Sequence, residues 1–464
     1  MRYISTRGSA PVLEFEDVVL TGLARDGGLY VPESWPRWQR HDFAALKAKS
    51  YSEIAYAVIA PFVGDAVPAD DLREMIEATY ADFGHPDVTP LRQLGDNQWL
   101  LELFHGPTLA FKDLALQLLG RLFDYFLKRC GGTLTIVGAT SGDTGSAAIE
   151  ACRGREMLQI FMLHPEGRVS NVQRRQMTTV SESNVHNIAV AGTFDDCQAL
   201  VKAMFDDTEF RDSHHLGAVN SINWARVMAQ VVYYVAAGLQ VGAPERGISF
   251  AVPTGNFGDV FAGFVAREMG FPIDRLYVGT NRNDILARFF DSGEYRSGSV
   301  TPTISPSMDI QVSSNFERLL FELCGRDGDE VSRLMNDQKT NGGFAVTADQ
   351  LSNAQKIFAA QSVSEIETQA TIKAEWERAG KFIDPHTAVG IAAGRACHGD
   401  SASPLVYLGT ADAAKFSDAV ENATGSRPKL PDRLNDLFQR EERFDTLPND
   451  LTAVEAHIAK RSNA

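Results

Sequence analysis

The sequence predicts an α/β protein, and three observations carry that expectation: short β-branched runs recur, glycine-bearing turns follow them, and helix-like stretches follow the turns. Leu134-Thr135-Ile136-Val137 passes through such a turn into Ser146-Ala147-Ala148-Ile149-Glu150-Ala151. Ile248-Ser249-Phe250-Ala251-Val252 repeats the arrangement, as do Leu276-Tyr277-Val278 and Leu405-Val406-Tyr407-Leu408. Strands alternating with helices imply a parallel sheet covered on both faces. Ligands of such sheets lie at the carboxyl ends of the strands, where the glycine-rich turns fall.

A chain of 464 residues is too long for one small core and implies two or three domains. Residues 1–95 mix short strands, turns and acidic helices, with Asp70 to Ile76 reading as helix. A composition shift over Gly242-Ala243-Pro244-Glu245-Arg246-Gly247 reads as a linker. The expected division is therefore an N-terminal domain over 1–95 and two α/β domains over 96–242 and 243–464. A net charge of −16 argues against a nucleic-acid or anionic-membrane binder, although a pocket can still be locally positive for a small anion. The five cysteines are scattered without a C-x-x-C pair, which predicts reduced thiols. His214-His215 and His386 lack partners at ligand spacing, so no metal site is expected. With no signal-like N-terminus and no long apolar run, the expected location is the cytoplasm.

Four segments carry chemistry. Strand Ser249–Val252 ends in Pro253-Thr254-Gly255-Asn256-Phe257-Gly258-Asp259 and leads into a helix for which Asp259 is the expected N-cap. Free N–H groups at a helix start, with the positive end of its dipole, form an anion site, and glycine lets the backbone close on phosphate. The bland reading is a tight turn that binds nothing. The spacing is neither a phosphate-binding Gly-Lys-Ser/Thr loop nor a dinucleotide fingerprint. A second loop of this kind, Gly138-Ala139-Thr140-Ser141-Gly142-Asp143-Thr144-Gly145, offers the hydroxyls of Ser141 and Thr144 beside a helix start.

Phe104-His105-Gly106-Pro107-Thr108-Leu109-Ala110-Phe111-Lys112-Asp113-Leu114 places a lysine among apolar neighbours, just where a helix should begin. Helix dipole and burial both favour the neutral amine, the form that attacks an aldehyde; most lysines, by contrast, are simply solvated. Asn220-Ser221-Ile222-Asn223-Trp224-Ala225-Arg226 opens another helix, with Asn220 or Ser221 as expected cap. Arg226 in its first turns opposes the dipole, which marks it either as an anion grip or as a side chain reaching solvent. His105 reads as packing beside its turn rather than catalytic, and Arg174-Arg175 as a solvated pair.

In this order, and with Tyr3-Ile4-Ser5-Thr6-Arg7-Gly8, Asp26-Gly27-Gly28-Leu29-Tyr30-Val31-Pro32, Thr280-Asn281-Arg282-Asn283-Asp284 and Met308-Asp309-Ile310-Gln311-Val312-Ser313-Ser314-Asn315-Phe316-Glu317-Arg318, the chain resembles the threonine synthase family. The resemblance runs over most of its length. It implies a fold-type II pyridoxal-phosphate enzyme, tryptophan synthase β-like, with two α/β domains and an N-terminal extension. It further implies that Lys112 forms the Schiff base with pyridoxal 5'-phosphate. Gly255, Asn256, Phe257, Gly258 and Asp259 would frame the cofactor phosphate. Ser141 and Thr144 would take the substrate carboxylate side, and Asn220, Ser221 and Arg226 its γ-phosphate. Thr410 would meet the pyridine nitrogen, although the family usually continues Ala-His-Pro-Ala-Lys-Phe after this threonine, whereas here Ala411-Asp412-Ala413-Ala414-Lys415-Phe416 follows.

The reaction so implied takes O-phospho-L-homoserine and water to L-threonine and phosphate, in a monomer or homodimer. A serine or threonine dehydratase of the same fold type is the nearest alternative. A catalytically silent relative that binds a phosphorylated metabolite is a second, and a nicotinamide oxidoreductase, lacking its fingerprint, a distant third.

Overall fold

Two sheets organise the computed structural model, which describes residues 1–140 and 142–462. The larger has six strands in the order Phe358–Ser362, Ile273–Thr280, Ile248–Pro253, Leu405–Gly409, Gln98–Glu102 and Leu91–Gly95. All its pairings are parallel except the hairpin between the last two. The smaller has five strands, all parallel, in the order Asp445–Pro448, Val185–Ala191, Leu158–Pro165, Leu134–Ala139 and Leu216–Gly217. The expected strands are present, each a little longer than its β-branched run, and the helix expected from Asp70 spans Ala69–Tyr80.

Sheet membership cuts across the expected divisions at 95/96 and 242/243. Gln98–Glu102 belongs to the larger sheet, and Asp445–Pro448, far along the chain, closes the edge of the smaller one. The chain therefore passes between the sheets three times: between Glu102 and Leu134, between Gly217 and Ile248, and between Gly409 and Asp445. The C-terminal stretch from about Pro428 is largely irregular until Leu451–Ser462. It also explains Arg174 and Arg175, which are not solvated. Arg174 pairs with Glu442, and Arg175 donates to the carbonyl of Arg440 at 3.1 Å.

Helix Trp224–Gln240 is the centre of the core. It is buried on every side apart from Gln240, as an apolar all-round helix must be, and packs against helices Tyr51–Val63, Lys112–Cys130 and Gly258–Glu268. Trp224 lies against Tyr3, Trp35 and Phe62 and so draws the N-terminal segment onto the same core. Among the described residues no helix is long and apolar enough to cross a membrane.

One buried cation ties the N-terminal segment to the centre. Arg318, fully buried, donates from Nε and Nη2 to the Tyr30 carbonyl at 3.1 and 2.9 Å, and from Nη2 to the Ile222 carbonyl at 2.6 Å. Its Nη1 binds the side-chain oxygen of Asn315. Replacing Arg318 by methionine fills the volume but strands these acceptors, at about 1–3 kcal/mol for each left unsatisfied. We expect Arg318→Met to lower unfolding stability by about 3 kcal/mol in urea titrations. A loss below about 1 kcal/mol would show that water replaces the guanidinium freely.

Candidate functional site

The carboxyl ends of four strands meet at one cavity of about 320 Å³. Ala139 leads to Thr140 and Thr144, Gly217 to Asn220 and Ser221, Pro253 to the Thr254–Asp259 loop, and Gly409 to Thr410, and the residues so reached line it. Lys112 and Arg226 enter from the first turns of helices Lys112–Cys130 and Trp224–Gln240. Every expected site residue that the structure describes thus lines the cavity; Ser141 lies outside the described residues. His105 does not line it. Its Nε2 is 3.0 Å from a Glu102 carboxylate oxygen, beside the turn.

Lys112 is the first residue of its helix and is buried. Burial pushes its ammonium down; Asp143, at 3.7 Å, pulls it up, and Lys415 and Arg226 push it down again. The balance is a lowered pKa, which favours the nucleophilic amine.

The Thr254–Asp259 loop is built for an anion. Phe257 is left-handed at φ 61°, a conformation uncommon for residues other than glycine, and its ring is locked among Phe290, Phe316 and Phe358. The Thr254 hydroxyl accepts the Phe257 N–H at 3.2 Å. A Cβ on Gly255 would stand 3.0 Å from the Ser307 carbonyl, so a larger residue would need the segment that crosses the loop to give by a few tenths of an ångström. That segment, 301–315, is latched by Asp309, which accepts from Asn281 at 2.8 Å, Asn283 at 3.0 Å and Thr303 at 2.6 Å. Ser313 and Asn315 then hold the carbonyls of Gly255 and Asn256.

Two expected caps are corrected. Helix Gly258–Glu268 has Phe257 at its N-cap and no side-chain cap, because Asp259 turns inward to accept the hydroxyls of Tyr233 and, at 3.1 Å, Tyr234. Helix Trp224–Gln240 is capped by Asn223, whose Oδ1 accepts the Ala225 N–H at 3.0 Å; this frees Asn220 and Ser221 to face the cavity. In the other loop, Thr140 Oγ1 accepts the N–H groups of Gly142 and Gly145 at 3.0 and 2.9 Å. Gly142 has φ +147°, and a Cβ there would strike Gln173 at 2.4 Å.

Several cavity atoms have no partner among the described residues. They include Nε and Nη1 of Arg226 and Oγ1 of Thr410, all buried. Donors left empty at this depth are costly unless an anion or polar group completes them. They suit a phosphorylated ligand with a ring acceptor: Arg226 and the main-chain N–H groups for phosphate, Thr410 for a ring nitrogen. Thr410 is itself held, its N–H donating at 3.1 Å to Thr387 Oγ1, which is bound to Asp384. Sequence reasoning gave no role to Asp143, Lys415, Ser307 or His386, which border or support the cavity. Asp143 was detectable: an acidic residue inside a loop read as an anion socket is a local contradiction.

Comparison with known proteins agrees along the whole chain. Residues 2–80 match the family model of the threonine synthase N terminus, 84–405 that of pyridoxal-phosphate dependent enzymes, and 387–458 that of the threonine synthase C-terminal region. Threonine synthase of Pseudomonas aeruginosa is 54% identical over 464 residues, covering 100% of this chain and 99% of that protein. The crystal structure of pyridoxal-phosphate-bound threonine synthase from Brucella melitensis superposes with a TM-score of 0.98 at 53% identity, covering 100% of both chains. The yeast threonine synthase structure gives 0.95 at 41% identity, covering 99% of this chain and 98% of that one.

Burial pushes the Asp259 carboxyl up to about 7, with the two tyrosine hydroxyls opposing the rise. The folded protein thus binds this proton more tightly than the unfolded chain. Its contribution to stability is complete below about pH 4 and is lost as pH climbs through 7. Asparagine keeps the acceptor and does not titrate. In melting curves of the cofactor-free protein, the Tm of Asp259→Asn relative to wild type should rise from about pH 4 to 8. A constant difference would mean that Asp259 is ionised throughout.

Proposed function

Because the chain belongs to the threonine synthase family of pyridoxal-phosphate enzymes, we propose that it converts O-phospho-L-homoserine and water to L-threonine and phosphate. Its cofactor is pyridoxal 5'-phosphate. The observation that carries the reading at the level of residues is the buried Arg226 guanidinium, with two unpartnered nitrogens, in the same cavity as a sheltered Lys112. A lyase that expels phosphate needs both a base at the carbon chain and a cation where the leaving group departs.

When bound, the cofactor supplies an aldehyde for an amine and a ring that spreads the electrons left behind when the α-proton departs. Lys112 is the residue that would hold it, through that aldehyde. Main-chain N–H groups from Gly255 to Asp259 would hold its phosphate, and Thr410 Oγ1 would face its ring nitrogen. A hydroxyl there, unlike a carboxylate, would not hold a proton on a pyridine nitrogen, and so would temper electron withdrawal and disfavour transamination.

Released by substrate, the Lys112 amine stands free to take the proton from Cα and then from Cβ, and to return protons as phosphate leaves Cγ and water adds at Cβ. Arg226, with Asn220 and Ser221 beside it, draws the γ-phosphate into a charge-assisted grip and stabilises it as it leaves. Thr144, at the start of helix Asp143–Cys152, takes the substrate carboxylate, where the helix dipole favours negative charge.

Phosphate release from O-phosphohomoserine, with threonine identified as co-product, tests the reaction. Lys112→Ala should lower the rate by about 10³-fold or more and abolish fixation of the ring by borohydride. Full activity in this variant would remove Lys112 from the chemistry. Arg226→Ala should lower kcat/KM for the phosphorylated substrate by about 10²-fold. An enzyme whose true substrate carries no phosphate, such as a serine dehydratase, would be nearly indifferent to that change.

A further inference from the structure

Asp143 is a buried carboxylate shared unequally by two buried lysines. Lys415 Nζ stands 2.8 Å from Oδ1 and donates at 2.6 Å to the Thr108 carbonyl, and its side chain has no solvent exposure. Gln173 Nε2 donates to the same Oδ1 at 2.8 Å. The other oxygen is less occupied: Ser307 Oγ lies 3.2 Å from Oδ2 and Lys112 Nζ 3.7 Å. One lysine therefore makes a hydrogen-bonded ion pair, and the other stands just beyond hydrogen-bond reach.

The remaining charges around the group sharpen the inequality. Arg226, from helix Trp224–Gln240, adds a third cation near Lys112. Asp113 adds a carboxyl near Lys415, but burial pushes it up to about 6 and its oxygens take the N–H and hydroxyl of Thr108. His386 faces Asp143 from helix Pro385–His398, yet its Nδ1 is 2.7 Å from an Asp384 oxygen and its Nε2 accepts the Ser307 N–H at 3.1 Å. Both ring nitrogens are thus engaged by partners other than Asp143. Lys112, Lys415 and Arg226 crowd the Asp143 carboxylate in a dry site, and the cheapest relief is for one amine to lose its proton.

Building on the role given to Lys112 above, we propose that Lys415 is a positioning residue: seated on Asp143 Oδ1, it reserves that carboxylate and so makes Lys112 the amine that gives up its proton. Lys415 also keeps Asp143 compensated while the Lys112 nitrogen is committed to the cofactor, so the carboxylate never stands bare. Once released, Lys112 returns to a place where Asp143 steers it without capturing it. The lysine that does the chemistry is thus selected by the lysine that does none.

The pH dependence of cofactor uptake by the apo-enzyme, followed by the visible band and by borohydride fixation mapped to residue 112, tests the assignment. Lys415→Met releases Asp143 to Lys112 and should move the midpoint up by about one pH unit or more. Asp143→Asn removes the carboxylate that holds the Lys112 proton and should move the midpoint down. General damage to the site would move both variants the same way. Opposite shifts support the proposal; an unmoved midpoint in Lys415→Met, or shifts of one sign, overturns it. If Lys415→Met does not fold, Gln173→Leu, which takes a neutral donor from Oδ1, should give a smaller upward shift, and no shift there also overturns it. Failure of the wild type to fix the ring at residue 112 is a different result, and it removes the reading of Lys112 itself.

Discussion

An unpaired ammonium costs several kcal/mol to bury, and the architecture around Lys112 is arranged about that cost. The lysine sits on the first turn of a helix, where the dipole already opposes its charge, and it is buried. Among the described residues Asp143 stands 3.7 Å from it, and the other oxygen of that carboxylate is engaged by Lys415. The same shortage of compensation recurs at Arg226, whose guanidinium burial pushes down to about 10 and whose Nε and Nη1 meet no acceptor among the described residues. A cavity so short of anions is completed by anionic ligands, and it takes them up with the electrostatic force that water would otherwise screen. The acidic net charge of the whole chain, −16, is no obstacle, because Lys112 and Arg226 present cationic side chains inside the cavity itself.

The three passages between the sheets do more than connect them. Lys112 lies on the first, Asn220, Ser221 and Arg226 on the second, and Thr410 and Lys415 on the third. These groups are therefore placed on segments that join strands of the two sheets. The one long irregular segment at the site, 301–315, is fixed by the fan of donors on Asp309 and supports the phosphate loop from outside.

Much of this was legible in the residues, for identifiable reasons. The strand–turn–helix rhythm is local, so the strands and the turns that carry the site could be read directly. Lys112, Arg226 and the Gly255–Asp259 loop stood out because each breaks a local rule, with a cation at a helix start or glycines where a strand should simply turn. The caps were misplaced because capping depends on which side chain the core claims first. Asp259 is a good N-cap by type, but two tyrosines from a neighbouring helix hold it inward. The Arg174–Arg175 pair, the membership of Asp445–Pro448 in the smaller sheet and the hold of Lys415 on Asp143 all join residues more than 200 positions apart. No periodicity or motif records such pairings, and only the folded chain brings them together.

The threefold interleaving also limits how this architecture can change. Neither lobe is a cassette: removing one as a single stretch of sequence would take a central strand from one sheet or the edge strand Asp445–Pro448 from the other, along with one wall of the cavity. Grafting a new lobe would require at least three simultaneous splices. Diversification along this lineage is therefore expected to proceed by substitutions and loop insertions within an undivided gene rather than by shuffling of parts.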